Sequence, residues 1–318
     1  MTGRGVLSCI HKVPSGHVVR PRRIRRRSPV ERRRTRTALA FLAPALTVIS
    51  VFVLWPMGTA LRTSFTDARI LGDVEWVGAD NYVRLVSDDR FTNALANSAL
   101  YAVVTTPVSV GLALAFALLL NRALPLRGLF RGVLFLPFVV SLGIVAIAWA
   151  FVLDPQVGLV NHGLAQVGLS IGDGVRDPAW AMPAVMLVGV WRNVGFFMVM
   201  YLAGLQSIPR EMQEAAVIDG AGPLKRFRYV TWPLLSNTTM FVMIIASIFA
   251  FQAFDQMFVM TAGGPFFRTE TLVLLIYRTG FANFEMGYAS AMSWVLVLII
   301  LVLSLAQIAY FRRRVVRY

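Results

Sequence analysis

Charged and amide side chains are scarce in the long apolar runs of this 318-residue chain, so the few that interrupt them are where chemistry must be sought. Arg192 sits in "WRNVGFF" and Asp255 in "FQAFDQMF", each inside a stretch otherwise fit for lipid. An ionisable group in such a place is costly unless it is paired or functional. Two readings are open. Arg192 and Asp255 pair across adjacent helices, or Arg192, Asn193, Gln252, Asp255 and Gln256 line a translocation path and offer hydrogen bonds to hydroxyl groups. A second polar island is residues 211–235, "EMQEAAVIDGAGPLKRFRYVTWPLL". There Glu211, Glu214 and Asp219 precede Lys225, Arg226 and Arg228, with Gly220, Gly222 and Pro223 between the two sets.

Other chemistries lack their parts. His11, His17 and His162 have no metal-ligand spacing, and Cys9, the one cysteine, has no partner for an intramolecular disulfide. No nucleophile–base set stands out, so a membrane-embedded enzyme is not expected. A phosphate-binding loop needs glycines to cradle phosphates and a lysine after them. The two lysines, Lys12 and Lys225, do not follow glycines. The chain is therefore expected to bind no cofactor and to hydrolyse no ATP by that mechanism, and any motor must be another chain.

The elements that position these residues are membrane spans. The chain is 57% hydrophobic and 15% charged, more apolar side chain than a soluble domain of this size can bury. A span needs about 20 apolar residues. Six runs supply it, at about 38–61, 97–120, 132–153, 181–205, 236–261 and 287–311. Pro44, Pro56, Pro107 and Pro137 fall in or near them, which membrane helices tolerate when neighbours satisfy the freed carbonyls. The fold class expected is an all-α polytopic membrane protein with six transmembrane helices.

Loop charge sets the expected orientation. The net charge is +15, and twelve of the 31 basic residues precede Thr37. This Arg-rich tail, residues 1–36, is read as disordered, contacting anionic lipid and fixing topology rather than binding nucleic acid. A cleaved leader is not expected, because the first apolar run is too long. The loop after span one holds Asp67, Asp73, Glu75, Asp80, Asp88 and Asp89 against three arginines; the next, "NRALPLRGLFR", is purely basic. The third holds Asp154, Asp173 and Asp177 against Arg176; the fourth is the 206–235 loop with Arg210, Lys225, Arg226 and Arg228; the fifth is nearly neutral. Positive and non-positive loops alternate, so both termini and the 206–235 loop are expected on the cytoplasmic side.

That loop reads as two short helices. Pro209 suits a first helical turn, and Glu211 and Glu214 suit a helix N-terminus. Ile208, Met212, Ala215 and Ile218 step along one apolar stripe. Gly220 and Gly222 end the first helix, and Pro223 begins the second. An interfacial hairpin resting on lipid would share these features.

The order of residues resembles the EAA motif of binding-protein-dependent ABC transporter permeases, in Glu214-Ala215-Ala216, Gly220 and then Val230-Thr231-Trp232-Pro233. Val230 and Trp232 stand where that family usually has Ile and Leu. "FLPFVV" at 135–140, "GLVN" at 158–161, "AGLQSIP" at 203–209, "FVMTAGGP" at 258–265 and "MGYASAMSWVL" at 286–296 look like its sugar-permease branch. The resemblance covers roughly residues 37–312. It implies a type I ABC importer permease in a bacterial inner membrane, moving a sugar, oligosaccharide or glycerol phosphate. It also implies an ABC ATPase subunit carrying ATP and Mg, a second permease and an extracytoplasmic solute-binding protein as partners. In the family the loop docks into a cleft of the ATPase, which gives Glu214, Ala215, Ala216 and Gly220 an ATPase-coupling role. The polar sugar contacts of maltodextrin permeases fall here on Gly189, Ala246 and Ala250, so that site is not carried over. The competing reading is a six-span secondary transporter or channel that needs no ATPase; it would leave the EAA-like loop without a purpose.

Overall fold

The computed structural model describes residues 29–69, 74–122, 125–166 and 173–312. The tail before Pro29 with Cys9, His11 and His17, the loop residue Asp73 and the basic end after Arg312 lie outside the described residues. The described residues are mostly helical, with two isolated antiparallel bridges, Thr66 with Trp76 and Arg69 with Glu285. The helices are α1 (Pro29–Ile49), α2 (Trp55–Thr63), α3 (Asp80–Ser87), α4 (Asp89–Leu120), α5 (Arg127–Val139), α6 (Leu142–Val152) and α7 (Leu159–Ala165). After them come α8 (Ala181–Gln206), α9 (Arg210–Ile218), α10 (Pro223–Arg226), α11 (Trp232–Leu234), α12 (Ser236–Phe251), α13 (Leu272–Tyr277) and α14 (Met286–Arg312).

The chain divides into two compact units at Pro56 and Met57. In the first, α1 starts at Pro29, inside the segment read from sequence as disordered; proline suits a first helical position because its missing N–H is unpaired there anyway. A π-helical turn, Ser50–Leu54, precedes Pro56. Counted together, Thr37–Thr63 is one helix long and apolar enough to cross a membrane.

In the second unit, three more helices pass that test alone: α4, α8 and α14. Two bent pairs pass it together, α5 with α6 at 98° and Pro223–Leu234 with α12 at 67°. The single span expected at 132–153 is thus two helices. Val140 is extended (φ −73°, ψ 143°), one turn after Pro137 has removed a helical N–H. The span expected at 236–261 is also broken, since α12 ends at Phe251 and helix resumes only as far as a π-helical turn, Met257–Thr261. Helix α4 begins at Asp89 rather than near residue 97, because Asp88 caps it and accepts from the N–H groups of Arg90 and Phe91 at 2.8 and 3.2 Å.

Two buried clusters show how the helices run. One joins Phe91, Ala94 and Tyr101 of α4 to Met182, Val185 and Val188 of α8, Phe251 at the end of α12, and Tyr288 and Met292 at the start of α14. The other joins Ala113, Ala117 and Leu120 to Phe197, Tyr201 and Leu205, with Val242 and Ala246 of α12. Helices α4 and α8 therefore run parallel, and α12 runs against them. The loop after α4 and the α9–α10 segment share one end of the bundle, and the segments before α4, before α14 and after α12 share the other. Chain order alternates between the two ends, as a membrane bundle requires.

Candidate functional site

Arg192, Asn193, Gln252, Asp255 and Gln256 all line one cavity of about 230 Å³, with Tyr101, Gly189, Phe138 and Phe249 completing much of its wall. Its aromatic wall residues Phe138 and Phe249 are braced from behind the lining by Phe196 of α8, which stacks on Phe138 with centroids 4.3 Å apart and on Phe249 of α12 at 5.9 Å. Arg192 lies over the Phe138 ring with its guanidinium carbon 4.9 Å from the centroid, within cation–π range. One of its terminal nitrogens donates to Asn193 Oδ1 at 3.3 Å, while its Nε is buried with no hydrogen-bond partner.

The direct pairing of Arg192 with Asp255 does not form. Among the described residues four ion pairs occur, and none contains either residue. Asp255 is exposed at the cavity, in the break after α12, so its carboxylate has solvent where the sequence reading gave it a partner. Gln252 is exposed as well, and Gln256 is buried. The backbone break at Gln252–Phe254 is what turns these side chains into the cavity. Non-helical backbone is tolerated inside a bundle where it borders a cavity and finds other partners. Here the Ala253 carbonyl accepts from Thr271 Oγ1 at 3.0 Å.

Tyr101 and Gly189 have no place in the path read from sequence. Gln256 Nε2 donates to Tyr101 Oη at 2.8 Å, leaving Gln256 Oε1 without a partner. Any Cβ on Gly189 would collide with Tyr101 Oη, so only glycine lets α8 sit against that hydroxyl. A signal was present. Asn97, Ser98, Tyr101 and Thr105 recur at helical spacing on one face of α4, and all four are buried. Asn97 Nδ2 donates to the carbonyls of Phe267 and Glu270 at 2.8 and 3.0 Å, and Ser98 Oγ accepts from the Leu272 N–H at 2.8 Å. This polar stripe staples the segment after α12, which carries half of the cavity, to α4.

The same segment is anchored by Glu270, which is fully buried. Arg90 grips its two oxygens with Nε and Nη2, both at 2.8 Å, and Arg278 pairs with it from the other side. Nearby, Tyr288 Oη donates to Asp88 Oδ2 at 2.6 Å, and Arg84 pairs with Glu285 at 2.9 Å. Burial pushes the Asp88 carboxyl up, but the bonds from Tyr288, Phe91 and Arg90 and the Arg84 charge outweigh it and hold it below the ordinary value. This network caps the end of the bundle opposite α9 and α10.

At that other end, α9 carries Glu214, Ala215 and Ala216. Ala216 is buried, whereas Glu214 and Ala215 are exposed. Ile218 is 86% exposed and Met212 45%, so most of the apolar stripe faces out of the chain instead of into it. Pro209 precedes the helix as its cap (φ −57°, ψ 135°) and is not in its first turn. Gly220 has φ +73° and no heavy atom near a would-be Cβ, so backbone conformation alone demands glycine there. The Gly220 N–H donates to the Val217 carbonyl at 3.0 Å and the Ala221 N–H to the Ala216 carbonyl at 2.9 Å, the paired bonds of a Schellman terminus. Pro223 opens α10 at its first position. Gln213 Nε2 donates to Thr231 Oγ1 at 3.2 Å and ties the two arms together.

A helical bundle with four to six membrane-length spans, a polar cavity among them and an ordered hairpin at one end defines a polytopic transport protein. Comparison with known proteins narrows this. The family model described as binding-protein-dependent transport system inner membrane component matches residues 107–317. The chain is 33% identical over 274 residues to the sn-glycerol-3-phosphate transport system permease protein UgpA of Yersinia pestis, covering 86% of this chain and 92% of that one. It is 34% identical over 270 residues to a probable ABC transporter permease protein of Pyrococcus horikoshii, covering 84% and 92%. Its fold matches that of a bacterial ABC transporter involved in import of the acidic polysaccharide alginate, with TM-score 0.78 at 23% identity over 88% of this chain and 96% of that one. The chain belongs to the family of inner-membrane components of binding-protein-dependent transport systems. It is a multi-pass inner-membrane permease component, as the EAA-like loop implied.

Proposed function

We propose that the chain forms part of the path for an anionic or polyhydroxylated carbohydrate, delivered by an extracytoplasmic binding protein and driven by a separate ATPase. The observation that carries this is the cavity. Arg192, Asn193, Gln252 and Asp255 offer donors and acceptors beside the Phe138 and Phe249 rings, a pairing that suits a ligand with hydroxyls on its edges and C–H groups on its faces. The unpartnered Nε of Arg192 suits an anionic oxygen. Relatives named for glycerol 3-phosphate and a fold neighbour that imports an acidic polysaccharide support that class of cargo.

A second permease subunit completes the path, and both termini and the α9–α10 hairpin face the cytoplasm, where the ATPase binds ATP and Mg and docks on the hairpin. Glu214 orients or pairs with the ATPase, Ala215 and Ala216 give a close fit, and Gly220 aims the helix. The exposed stripe of Met212, Ala215 and Ile218 supports this reading, since an apolar face left open by its own chain suits a protein partner.

The test has two arms. Cysteines placed at Asp88 and Asp173 label from outside sealed cells with impermeant reagents, and one at Lys225 does not; outside labelling at Lys225 refutes the orientation. Uptake of labelled glycerol 3-phosphate and of neutral and acidic oligosaccharides is then compared between wild type and Arg192→Gln. Wild-type uptake of every solute by the variant would remove Arg192 from the path.

A further inference from the structure

A cavity larger than the one between the spans lies elsewhere in the bundle. It has a volume of about 810 Å³ and lies where the last turns of α4 and α8 meet α9 and α10. Arg122, Arg210 and Arg226 line it with Asn121 and Gln213, and no acidic residue does. None of the three guanidinium groups makes a hydrogen bond or ion pair among the described residues. The rest of the wall is largely apolar.

Helix ends explain part of this charge. A cation near a helix C-terminus is favourable, which accounts for Arg122 after α4, but not for Arg226, which lies in the first turn of the continuous helix Pro223–Leu234. It does not account for Arg210, the first residue of α9, where the dipole is positive and a cation is disfavoured. The N-terminus of α9 is also without a side-chain cap, because Pro209 has no side chain able to accept. Three arginines therefore line one space that has no acidic residue in its wall, and an anion would satisfy all three.

We propose that this cavity is a binding site for a phosphate-bearing anion. Planar guanidinium forks match phosphate oxygens bidentately. The mixed wall suits a phospholipid headgroup entering from the inner end of the bundle, and the same groups would accept inorganic phosphate. Because Gln213 and Arg210 belong to α9 and Arg226 to α10, occupancy would brace the hairpin against the spans and tie its angle to the presence of the ligand.

Binding is read on the full-length chain, with the subunits that purify with it, so the outcome is separate from whether or what it transports. Native mass spectrometry counts phosphatidylglycerol retained from mixed phosphatidylglycerol–phosphatidylcholine nanodiscs, and inorganic phosphate is then titrated in. Wild type is expected to retain phosphatidylglycerol over phosphatidylcholine, and Arg122→Gln/Arg210→Gln/Arg226→Gln to lose that preference by about tenfold or more, as three charge-assisted contacts are removed. The single changes Arg210→Gln and Arg226→Gln each weaken it less, which guards against misfolding of the triple variant. Arg268→Gln, an exposed arginine outside the cavity, behaves as wild type. Retention that millimolar phosphate does not displace identifies a lipid headgroup; displacement, or saturable phosphate binding lost in the triple variant, identifies the soluble anion. Equal retention of the two lipids with no phosphate binding, or wild-type binding by the triple variant, overturns the site.

Discussion

Replacing Glu270 by alanine tests whether the cap on the cavity-bearing segment is held by charge. The Glu270 side chain is 0% exposed, and its partners Arg90 and Arg278 keep 38% and 26% of their side-chain exposure. Removing one member of a buried ion cluster costs about 3–5 kcal/mol, because the remaining charges lose compensation. Here the stranded groups are the two arginines, and both can regain water, so the low end, about 3 kcal/mol, applies. For a chain of 318 residues each kcal/mol moves Tm by about 1.5 °C, so Glu270→Ala should lower it by about 4–5 °C. Replacing the cluster wholesale, with Glu270→Leu, Arg90→Met and Arg278→Met together, should recover most of that loss, since no desolvated charge remains. Thermal unfolding of detergent-purified protein, followed by intrinsic fluorescence, measures both. A Glu270→Ala midpoint within about 1 °C of wild type, or a triple variant no more stable than the single one, would refute the reasoning.

Four further outcomes are expected. Glu214→Lys and Gly220→Val should both reduce uptake and recovery of a copurifying ATPase; Glu214→Lys should leave Tm unchanged, while Gly220→Val costs about 1–2 kcal/mol for a Cβ at positive φ. Gly189→Ala should cost about 1–3 kcal/mol by driving Tyr101 from Gln256, and should lower uptake, whereas Ala246→Gly, away from the Tyr101–Gln256 contact, should spare that contact. Arg192→Ala and Asp255→Ala should give nearly additive losses of uptake, since no ion pair joins them; a coupling energy above about 1 kcal/mol in the double-mutant cycle would contradict the geometry. The Asp88 carboxyl is held below its ordinary value of 3.8, so its contribution is present above that pH and lost as pH falls through the lowered folded value. Stability measured from pH 7 to 3 should thus decline more steeply in wild type than in Asp88→Asn at the acid end.

What the sequence determined by itself was whatever depends on neighbours in the chain. Span existence follows from run length, because lipid accepts any helix that is apolar for about 20 residues. The α9–α10 hairpin was legible because its signals are local: Gly220 is needed for a positive φ, Pro223 for a first helical position, and the i to i+3 and i+4 stripe for a face. The five polar residues that line one cavity were also legible as a group, since each interrupts an apolar run. Tertiary structure decided how those residues relate. Arg192 and Asp255 looked like partners because adjacent spans place them at similar depth, but the break at Gln252–Phe254 turns Asp255 into the open cavity, and Arg192 meets Asn193 and Phe138 instead. The loop holding Glu270, Arg278 and Glu285 reads as nearly neutral, and summing charge hides that one carboxylate is fully buried between two arginines. One of these, Arg90, is 180 residues away in sequence, and Gln256 and Tyr101 are 155 apart. No local pattern encodes such contacts, because they depend on which faces of parallel α4 and α8 and antiparallel α12 are brought together.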